Sequence, residues 1–461
     1  MNCDVVIIGG GVSGLATAYD LNQRGVDTMV VERQVCVGGN AVSSRFDGFL
    51  MEHGPSTMNA AVPEGLDFAR ELGLAASSID LGHNVRRRYL LDDGKLHAIA
   101  THPLGFLTSG YLSLAARFSV MSEILKARRI GGPEETIHDF TSRRFGAEFS
   151  EKVMDPLAAG LFCGDAKELS VAAVFPKLVE FERNYGSVAR AILSAKRGNQ
   201  PGRRLLSWPE GIATLPRQLA QRLGDRVNTG TAVRHLREKT SGFETETSKG
   251  SIRSKAVVLA VQPHVAAALL EDIAPDAATA AGDIAAPPLA VVFLGYKNAQ
   301  VSHPLDGLGY LSTNSPDRLI NGTQFCSTMF TGRAPRGHVA IAAYIGGSRQ
   351  PDAARLPDQE LLGQVECELG RLLAIKGAPV VRRTHRWPLG LPQYTLGHAG
   401  KIAAIASAHQ HLPGLYLTGN YIGGVSVANC LKTARQTANK VSRYLEQIQH
   451  SDTISVDANV L

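Results

Sequence analysis

The stretch VVIIGGGVSGLATAYDLNQRGVDTMVVERQVCVGGNA, residues 5–41, decides how this chain folds. Its apolar run from Val5 to Ile8 has the length and β-branched content of a buried parallel strand, and it leads directly into Gly9, Gly11 and Gly14 in the order G-x-G-x-x-G. Gly9 permits a tight turn, Gly11 lets backbone approach a pyrophosphate, and Gly14 lets the following helix pack closely on the strand. The helix N-terminus adds amide donors and the positive end of a dipole. A second strand, Asp27 to Val31, ends in Glu32, roughly 20 residues on, where a carboxylate can accept from both ribose hydroxyls of an adenosine. That pairing needs a free 2′-hydroxyl, so NADP is disfavoured. Strand, glycines, helix, strand and terminal acid make one βαβ unit, and this context, more than the glycines alone, predicts dinucleotide binding.

The next stretch, GGNAVSSRFDGFLMEHGPS at 38–56, carries a second glycine pair, Gly38 and Gly39. Its spacing from Glu32 resembles the FAD-specific extension of large flavin oxidases and desaturases, in which the pair brings backbone close to the diphosphate. That extension usually carries Arg or Lys after the glycines. Asn40 keeps a hydrogen-bonding group here without the charge, which predicts a weaker hold on the pyrophosphate.

Length and composition bound the rest. A chain of 461 residues is long enough for two or three domains, and an apolar fraction of 44% can fill their cores. With Lys+Arg at 48 against Asp+Glu at 42, the charge balance lacks the concentrated positive field of a nucleic-acid binder, so no nucleic-acid partner is expected. Basic clusters at Arg86 to Arg88, Lys126 with Arg128 and Arg129, Arg143 with Arg144, and Arg203 with Arg204 read mainly as solvated faces. The alternative is attraction to an anionic substrate or membrane surface. Six cysteines, Cys3, Cys36, Cys163, Cys326, Cys367 and Cys430, show no C-x-x-C or metal-ligand spacing and read as reduced packing residues; no metal site is expected. No secretory signal and no apolar run of membrane-spanning length is evident. The expected location is cytoplasmic, with a peripheral position on the inner membrane face as an extension of that reading.

Along the chain, residues 62–74 read as a helix, and RRYLLDDGKLHAI as a hairpin around Asp93-Gly94. From about Pro103 to Gly198 the pattern is helical. AVVLAVQP reads as a strand re-entering the nucleotide domain, and LAVVFLGY and HVAIAAYIGG as members of a mostly antiparallel sheet. GLYLTGNYIGGVSVANCLKTARQTANKVSRYL gives strand, glycine-rich turn and amphipathic helix, a second place where amides can face a cofactor. The expected class is α/β: an FAD-binding Rossmann-like domain of the GR2 type, a mixed-sheet substrate domain and an inserted α-helical subdomain. The expected FAD-binding domain is discontinuous (1–84, 203–268 and 400–447), the substrate-binding domain takes 85–102 and 269–399, the helical insertion 103–202, and a loose tail 448–461.

Taken together, the chain resembles the oxygen-dependent, FAD-containing protoporphyrinogen and coproporphyrinogen oxidases, within the broader amine oxidase and phytoene desaturase superfamily. The N-terminal βαβ unit and LTGNYIGG at 417–424 carry the superfamily likeness. More specific are DPLAAGLFCGDAKELSVAAVFPKLVEFERNYGSV at 155–188, LSWPEGIATLPRQL at 206–219, MFTGRAPRGHVAIAAYIGG at 329–347 and RWPLGLPQYTLGH at 386–398. The resemblance implies that Gly9, Gly11, Gly14, Glu32, Gly38, Gly39 and Asn40 hold the ADP half of a non-covalent FAD, with Val227 offering a backbone contact to adenine. It places Gly419 and Asn420, then Gly424, Val425 and the residues to Val427, on the ribityl chain and flavin ring. Arg88 matches the arginine that holds a tetrapyrrole propionate, a pairing suited to a bidentate guanidinium; otherwise it is the third member of an exposed basic run.

Departures from the family pattern fall on the substrate wall. The G-F-G-x-L segment reads Gly307-Leu308-Gly309-Tyr310-Leu311, without an aromatic ring at Leu308. Gln324 and Tyr344 are polar where relatives often place Leu and Phe, although a flat apolar macrocycle prefers apolar walls. Neutral drift and a diverged substrate both account for this. His53, His398 and Trp387 read as packing or pocket-shaping residues, and no catalytic triad emerges. The expected enzyme is an FAD-dependent oxidase acting on CH-CH or CH-NH donors, with a small-molecule substrate, O2 as electron acceptor, and a monomeric or homodimeric state. Two other readings stay open: an oxidase or desaturase of another small heterocycle or amine, and a non-catalytic relative like the Rab-escort and GDP-dissociation-inhibitor proteins. Retention of both glycine-rich segments argues against the last.

Overall fold

The computed structural model of the chain describes residues 1–99, 103–194, 204–315 and 317–458. Its centre is a seven-stranded sheet in the order Val227–Asn228, Thr28–Val31, Asn2–Ile8, Gly250–Leu259, Gly242–Thr247, Val233–Lys239, with Leu415–Leu417 added beside Gly250–Leu259. The long strand Gly250–Leu259 does two jobs. Residues 250–254 pair antiparallel with Gly242–Thr247, while Val257 to Leu259 lie parallel to Leu415–Leu417. Asn2–Ile8 runs parallel between Thr28–Val31 and Gly250–Leu259, and Val5, Val6 and Ile7 have no exposure, which explains the unbroken β-branched run. One face packs on the helices Val12–Gln23, Thr214–Leu223 and the start of Val427–Ala458; the other is covered by Pro263–Leu270, Pro275–Gly282 and His398–His411.

A second seven-stranded sheet runs Val381–Trp387, Leu289–Lys297, His338–Gly346, Ile320–Gln324, Gly307–Ser312, Arg87–Asp92, Lys95–Ile99. Only the pair Gly307–Ser312 with Arg87–Asp92 is parallel, in line with the mostly antiparallel expectation. The hairpin closes at Asp93 and Gly94, both at positive φ (45° and 72°), a turn whose twist suits two strands joined by two residues. One face of this sheet, including Val292, Leu294, Ile341 and Ala343, is buried under the helix Asp358–Leu373.

Helices from Pro103–Thr108 to Val188–Ser194 form the insertion, around a core of Ile137, Phe140, Met154, Leu169, Val171 and Val188. It docks on the second sheet at two glycine contacts. A Cβ on Gly160 would lie 2.2 Å from Leu311 Cδ2, and one on Gly347 would lie 2.1 Å from the Cys163 carbonyl oxygen. The Ser348 amide donates to that same carbonyl at 2.8 Å.

Two expectations need correction. The final helix, Val427–Ala458, covers the start of the segment read as a loose tail; no glycine or proline interrupts the chain between its ends to stop it. Arg143 and Arg144 are not a solvated face. Arg144 is fully buried against Glu123 and Glu182, and Arg143 bridges Glu135 and Glu182 at 2.8 Å each. Part of the Arg203–Arg204 cluster lies outside the described residues, while Arg204 itself pairs with Asp80 at 2.6 Å.

Candidate functional site

Gly9, Glu32, Ala260 and Thr418 follow the carboxyl ends of four parallel strands, the edge at which open α/β sheets bind ligands. Gly9 and Gly14 perform the steric tasks read from the sequence. Gly9 has φ +112°, and a Cβ on it would lie 2.4 Å from the Ala260 carbonyl oxygen. A Cβ on Gly14 would lie 2.0 Å from the Gly9 carbonyl oxygen and 3.0 Å from Ala260 Cβ, so helix and strand could not approach as they do. A Cβ on Gly11 would meet nothing nearer than Gly39 Cα at 3.8 Å, so packing within the protein does not require glycine there.

The second glycine pair lies against the first. The Gly38 amide donates to the Gly10 carbonyl at 2.8 Å, Gly11 and Gly38 form a bridge, and Gly38 and Gly39 adopt φ of +121° and +57°. Glu32 Oε2 accepts from the Gly10 amide and Oε1 from the Gln34 amide, both at 2.7 Å, which fixes the carboxylate at the rim. Val227 pairs with Val30, and the Glu32 amide donates to the Asn228 carbonyl at 2.9 Å, so the segment expected at adenine stands beside the acid expected at ribose. Asn40 is part-buried next to Gly54, where a Cβ would meet the Asn40 carbonyl oxygen at 2.5 Å.

At the far end, Thr418 donates its amide to the Leu259 carbonyl at 3.0 Å, which sets Gly419 and Asn420 beside the first turn. Gly424 has φ +117°, and Ser426 caps the last helix by accepting from the Asn429 amide at 3.2 Å, ahead of Val427. Val425 packs against the core of the insertion. The hydroxyl of Thr418 is buried with no hydrogen-bond partner. A glycine-lined cradle flanked by this orphaned hydroxyl, with a carboxylate at one end and a helix N-terminus at each, fits a flavin dinucleotide.

The substrate candidates share a sheet face. Across the strands, His385, Val291, Tyr344, Gly322, Leu311 and Leu90 stand in one row. Arg88 is two residues from Leu90, and Gln324 two from Gly322, so both side chains belong to the same face, opposite the helix-covered one. Leu308 falls in the irregular stretch between Gly307 and Tyr310, where Gly309 has φ +137°. Arg88 is exposed on its strand; Tyr344 keeps a buried, unpartnered hydroxyl whose ionisation burial pushes well above the ordinary tyrosine value.

The surroundings of several groups escaped the sequence reading. Tyr394 donates its hydroxyl to the Asn420 carbonyl at 2.5 Å and accepts from the Gly424 amide at 3.0 Å. Glu52 accepts from Ser43 Oγ, from the Ile212 amide at 3.0 Å and from Arg333 at 3.5 Å, and burial pushes its carboxyl up to about 7. His53 lies edge-on to His385 with ring centroids 4.4 Å apart, and Trp387 Nε1 donates to the His53 carbonyl at 2.8 Å. Burial, with His385 second, pushes His53 down to about 4, so it stays neutral, as a packing role requires. His53 and Tyr394 lie in short loops that carry no periodic signal, and for all of these groups only contacts between distant segments reveal the surroundings.

Among the described residues, no cluster of three or more histidine, cysteine, aspartate or glutamate side chains could hold a metal, and no helix is long and apolar enough to cross a membrane. A cavity of about 490 Å³ lies in the insertion, lined by Arg128, Arg129, Phe140 and Val179 among others, away from the glycine cradle.

Cradle and separate sheet define a dinucleotide-binding oxidoreductase of two-sheet architecture. The chain belongs to the flavin containing amine oxidoreductase family, whose model matches residues 12–442. It is 30% identical over 479 residues to the chloroplastic protoporphyrinogen oxidase of Oryza sativa subsp. japonica, covering 96% of this chain and 89% of the relative. It is 26% identical to the coproporphyrinogen III oxidase of Bacillus subtilis, covering 96% and 98% respectively. In fold it matches a solved structure from Exiguobacterium sp. 255-15, assigned as a protoporphyrinogen oxidase, with a TM-score of 0.83 at 24% identity over 96% of this chain and 99% of that one.

Proposed function

We propose that this flavoprotein is an FAD-dependent porphyrinogen oxidase that converts protoporphyrinogen IX or coproporphyrinogen III to the porphyrin, with O2 as acceptor and H2O2 as product. The observation that carries this reading is the joint presence of an intact cradle and a broad sheet face with Arg88 at one side, in a chain similar over nearly its whole length to oxidases of both substrates. The chemistry that bound FAD supplies is acceptance of a hydride from carbon. Gly9, Gly11, Gly14, Gly38, Gly39 and Asn40 hold its diphosphate, Glu32 and Val227 its adenosine, and the 419–427 turn the flavin end. Arg88 pairs with a substrate carboxylate, while Leu308, Leu311 and the aliphatic part of the face pack on the macrocycle. Neither glycine segment presents an evident attachment residue at the flavin, so acid precipitation releases the flavin into the supernatant; flavin retained in the pellet contradicts non-covalent binding.

A second reading rests on Tyr344 and Gln324, whose polar groups suit a smaller polar heterocycle or amine. The two part company in one experiment: anaerobic reduction of the bound flavin by protoporphyrinogen IX and by coproporphyrinogen III, followed by peroxide measurement in air. If wild-type enzyme is reduced by neither, the porphyrinogen reading is rejected. Under that reading Arg88→Ala raises KM about ten- to a hundredfold with flavin content unchanged, because a charged hydrogen bond is worth about 1.5–3 kcal/mol. Gln324→Leu with Tyr344→Phe is then tolerated, whereas a polar substrate loses its oxidation through unpaired groups.

A further inference from the structure

Tyr394 joins three parts of the molecule that are far apart in the chain. Its hydroxyl spans the C-terminal turn, donating to the Asn420 carbonyl at 2.5 Å and accepting from the Gly424 amide at 3.0 Å. Its ring is 3% exposed and stacks on His398 with centroids 4.0 Å apart and planes 14° from parallel. His398 Nε2 in turn lies 3.0 Å from the Tyr421 carbonyl, inside the same turn, which fixes Nε2 as the protonated nitrogen. Turn residues 420, 421 and 424 are therefore all held from one side by a stacked pair.

The other side of the same segment is fastened to the insertion. The Ser170 amide donates to the Tyr394 carbonyl at 2.8 Å, and Leu169 bridges to Thr395. Glu134 reaches both partners, accepting from the Gly397 amide at 2.7 Å and from Ser170 Oγ. Tyr394 is also a member of the insertion's own apolar core, with Phe140, Leu169 and Val171. A displacement of the insertion must pull on Tyr394, and Tyr394 cannot move without releasing a carbonyl and an amide of the turn.

We infer that Tyr394 is a positioning residue for the flavin, holding the 420–424 turn in register and coupling flavin retention to the seating of the helical insertion. This rests on the assignment of the 419–427 turn to the flavin end of FAD. With FAD bound, amides of that turn would face the flavin only while the turn keeps its shape, so a slack turn would weaken binding and remove stabilisation from the negatively charged reduced flavin.

The test uses full-length protein stripped of flavin and titrated with FAD. Tyr394→Phe keeps the stacked ring and removes both hydroxyl bonds. Its dissociation constant for FAD rises about tenfold, as two hydrogen bonds at about 0.5–1.5 kcal/mol each predict, and the midpoint potential of its bound flavin falls. Glu134→Ala, at an exposed position, removes one tie to the insertion and leaves the Ser170 and Leu169 backbone contacts in place, so it shifts both quantities in the same direction by less. Tyr394→Phe that binds FAD as tightly as wild type at an unchanged potential overturns the inference. A weakened Tyr394→Phe beside an unaffected Glu134→Ala overturns the coupling to the insertion, and Glu134→Ala decides the matter alone if Tyr394→Phe does not fold. Wild-type protein that takes up no FAD rejects the flavin assignment of the turn instead.

Discussion

Gly14 has no room for even a methyl group, since a Cβ there would lie 2.0 Å from the Gly9 carbonyl oxygen. Backbone on the far side of that contact is part of the cradle and cannot give way cheaply. Gly14→Ala is therefore expected to cost about 1–3 kcal/mol through overpacking, and to lose FAD in proportion, read by flavin content and thermal melting of the same preparation. His53 makes the complementary residue-scale case. Its folded pKa, pushed down to about 4 by burial and His385, lies below the ordinary 6.5, so the unfolded chain binds the extra proton between those values. Stability from this site is complete above about pH 6.5 and is lost as pH falls towards about 4. His53→Gln, which cannot titrate but can still meet the Ser44 hydroxyl that lies 2.8 Å from His53 Nε2, flattens the fall in melting temperature over that range. Glycine roles were legible in the sequence because each is a local backbone demand. The environments of His53, Glu52 and Tyr394 were not, because their partners arrive from elsewhere: His385, Arg333 and Asn420 are fixed by tertiary packing.

At the scale of elements, the insertion is organised by charge as much as by apolar contact. Arg144 donates to Glu123, Glu182 and the carbonyls of Ala127 and Gly186, while Glu123 also accepts from Ser187 and the amides of Val188 and Ala189. These partners come from residues 123–127 and 182–189, on either side of Arg144 in the chain. Arg144→Met leaves Glu123 buried without its cation and is expected to cost about 3–5 kcal/mol, seen as a low-melting transition of the insertion in denaturant. The helical pattern and the basic residues were plain in the sequence, but not which arginines turn inward; two adjacent arginines look alike until their partners are placed. On the outside, Leu114, Phe118, Met121 and Leu125 are 79%, 71%, 62% and 80% exposed, at a spacing that keeps them on one side of the chain's helical path. With Arg128 exposed nearby, this stripe is the surface that the peripheral contact expected from the sequence would use; Lys126 turns inward to the Arg143 and Arg144 carbonyls. Flotation with phosphatidylserine vesicles should show binding that weakens with salt and is lost in Phe118→Ser with Leu125→Ser; no flotation at low salt leaves the insertion only its place beside the pocket.

Across the whole molecule, a buried pair ties the two-stranded ribbon of Ser43–Phe46 and Phe49–Glu52 to the loop that precedes the strand His338–Gly346. Glu52 belongs to the strand Phe49–Glu52 and Arg333 follows the strand Ile320–Gln324; Arg333 also donates to the Trp208 carbonyl at 3.1 Å and to Ser207 Oγ at 2.8 Å. Burial raises the Glu52 carboxyl to about 7 and lowers the Arg333 guanidinium, so desolvation outweighs the pairing on both partners. A folded pKa above the unfolded value of 4.5 means that this carboxyl's contribution is fully present below about pH 4.5 and is lost as pH rises through about 7, the opposite sense to His53. Arg333→Met removes the cation while leaving the carboxyl buried. Its deficit against wild type should therefore be small near pH 5, where Glu52 is protonated, and approach about 3–5 kcal/mol above pH 8, where an unpaired buried carboxylate would otherwise form. Adding Glu52→Gln to Arg333→Met removes the ionisable group and should abolish the pH dependence of that deficit. Thermal melting from pH 5 to 8.5 across the three proteins measures it, and a deficit in Arg333→Met that stays constant with pH would show that Arg333 acts through its bonds to Trp208 and Ser207 and not by neutralising Glu52.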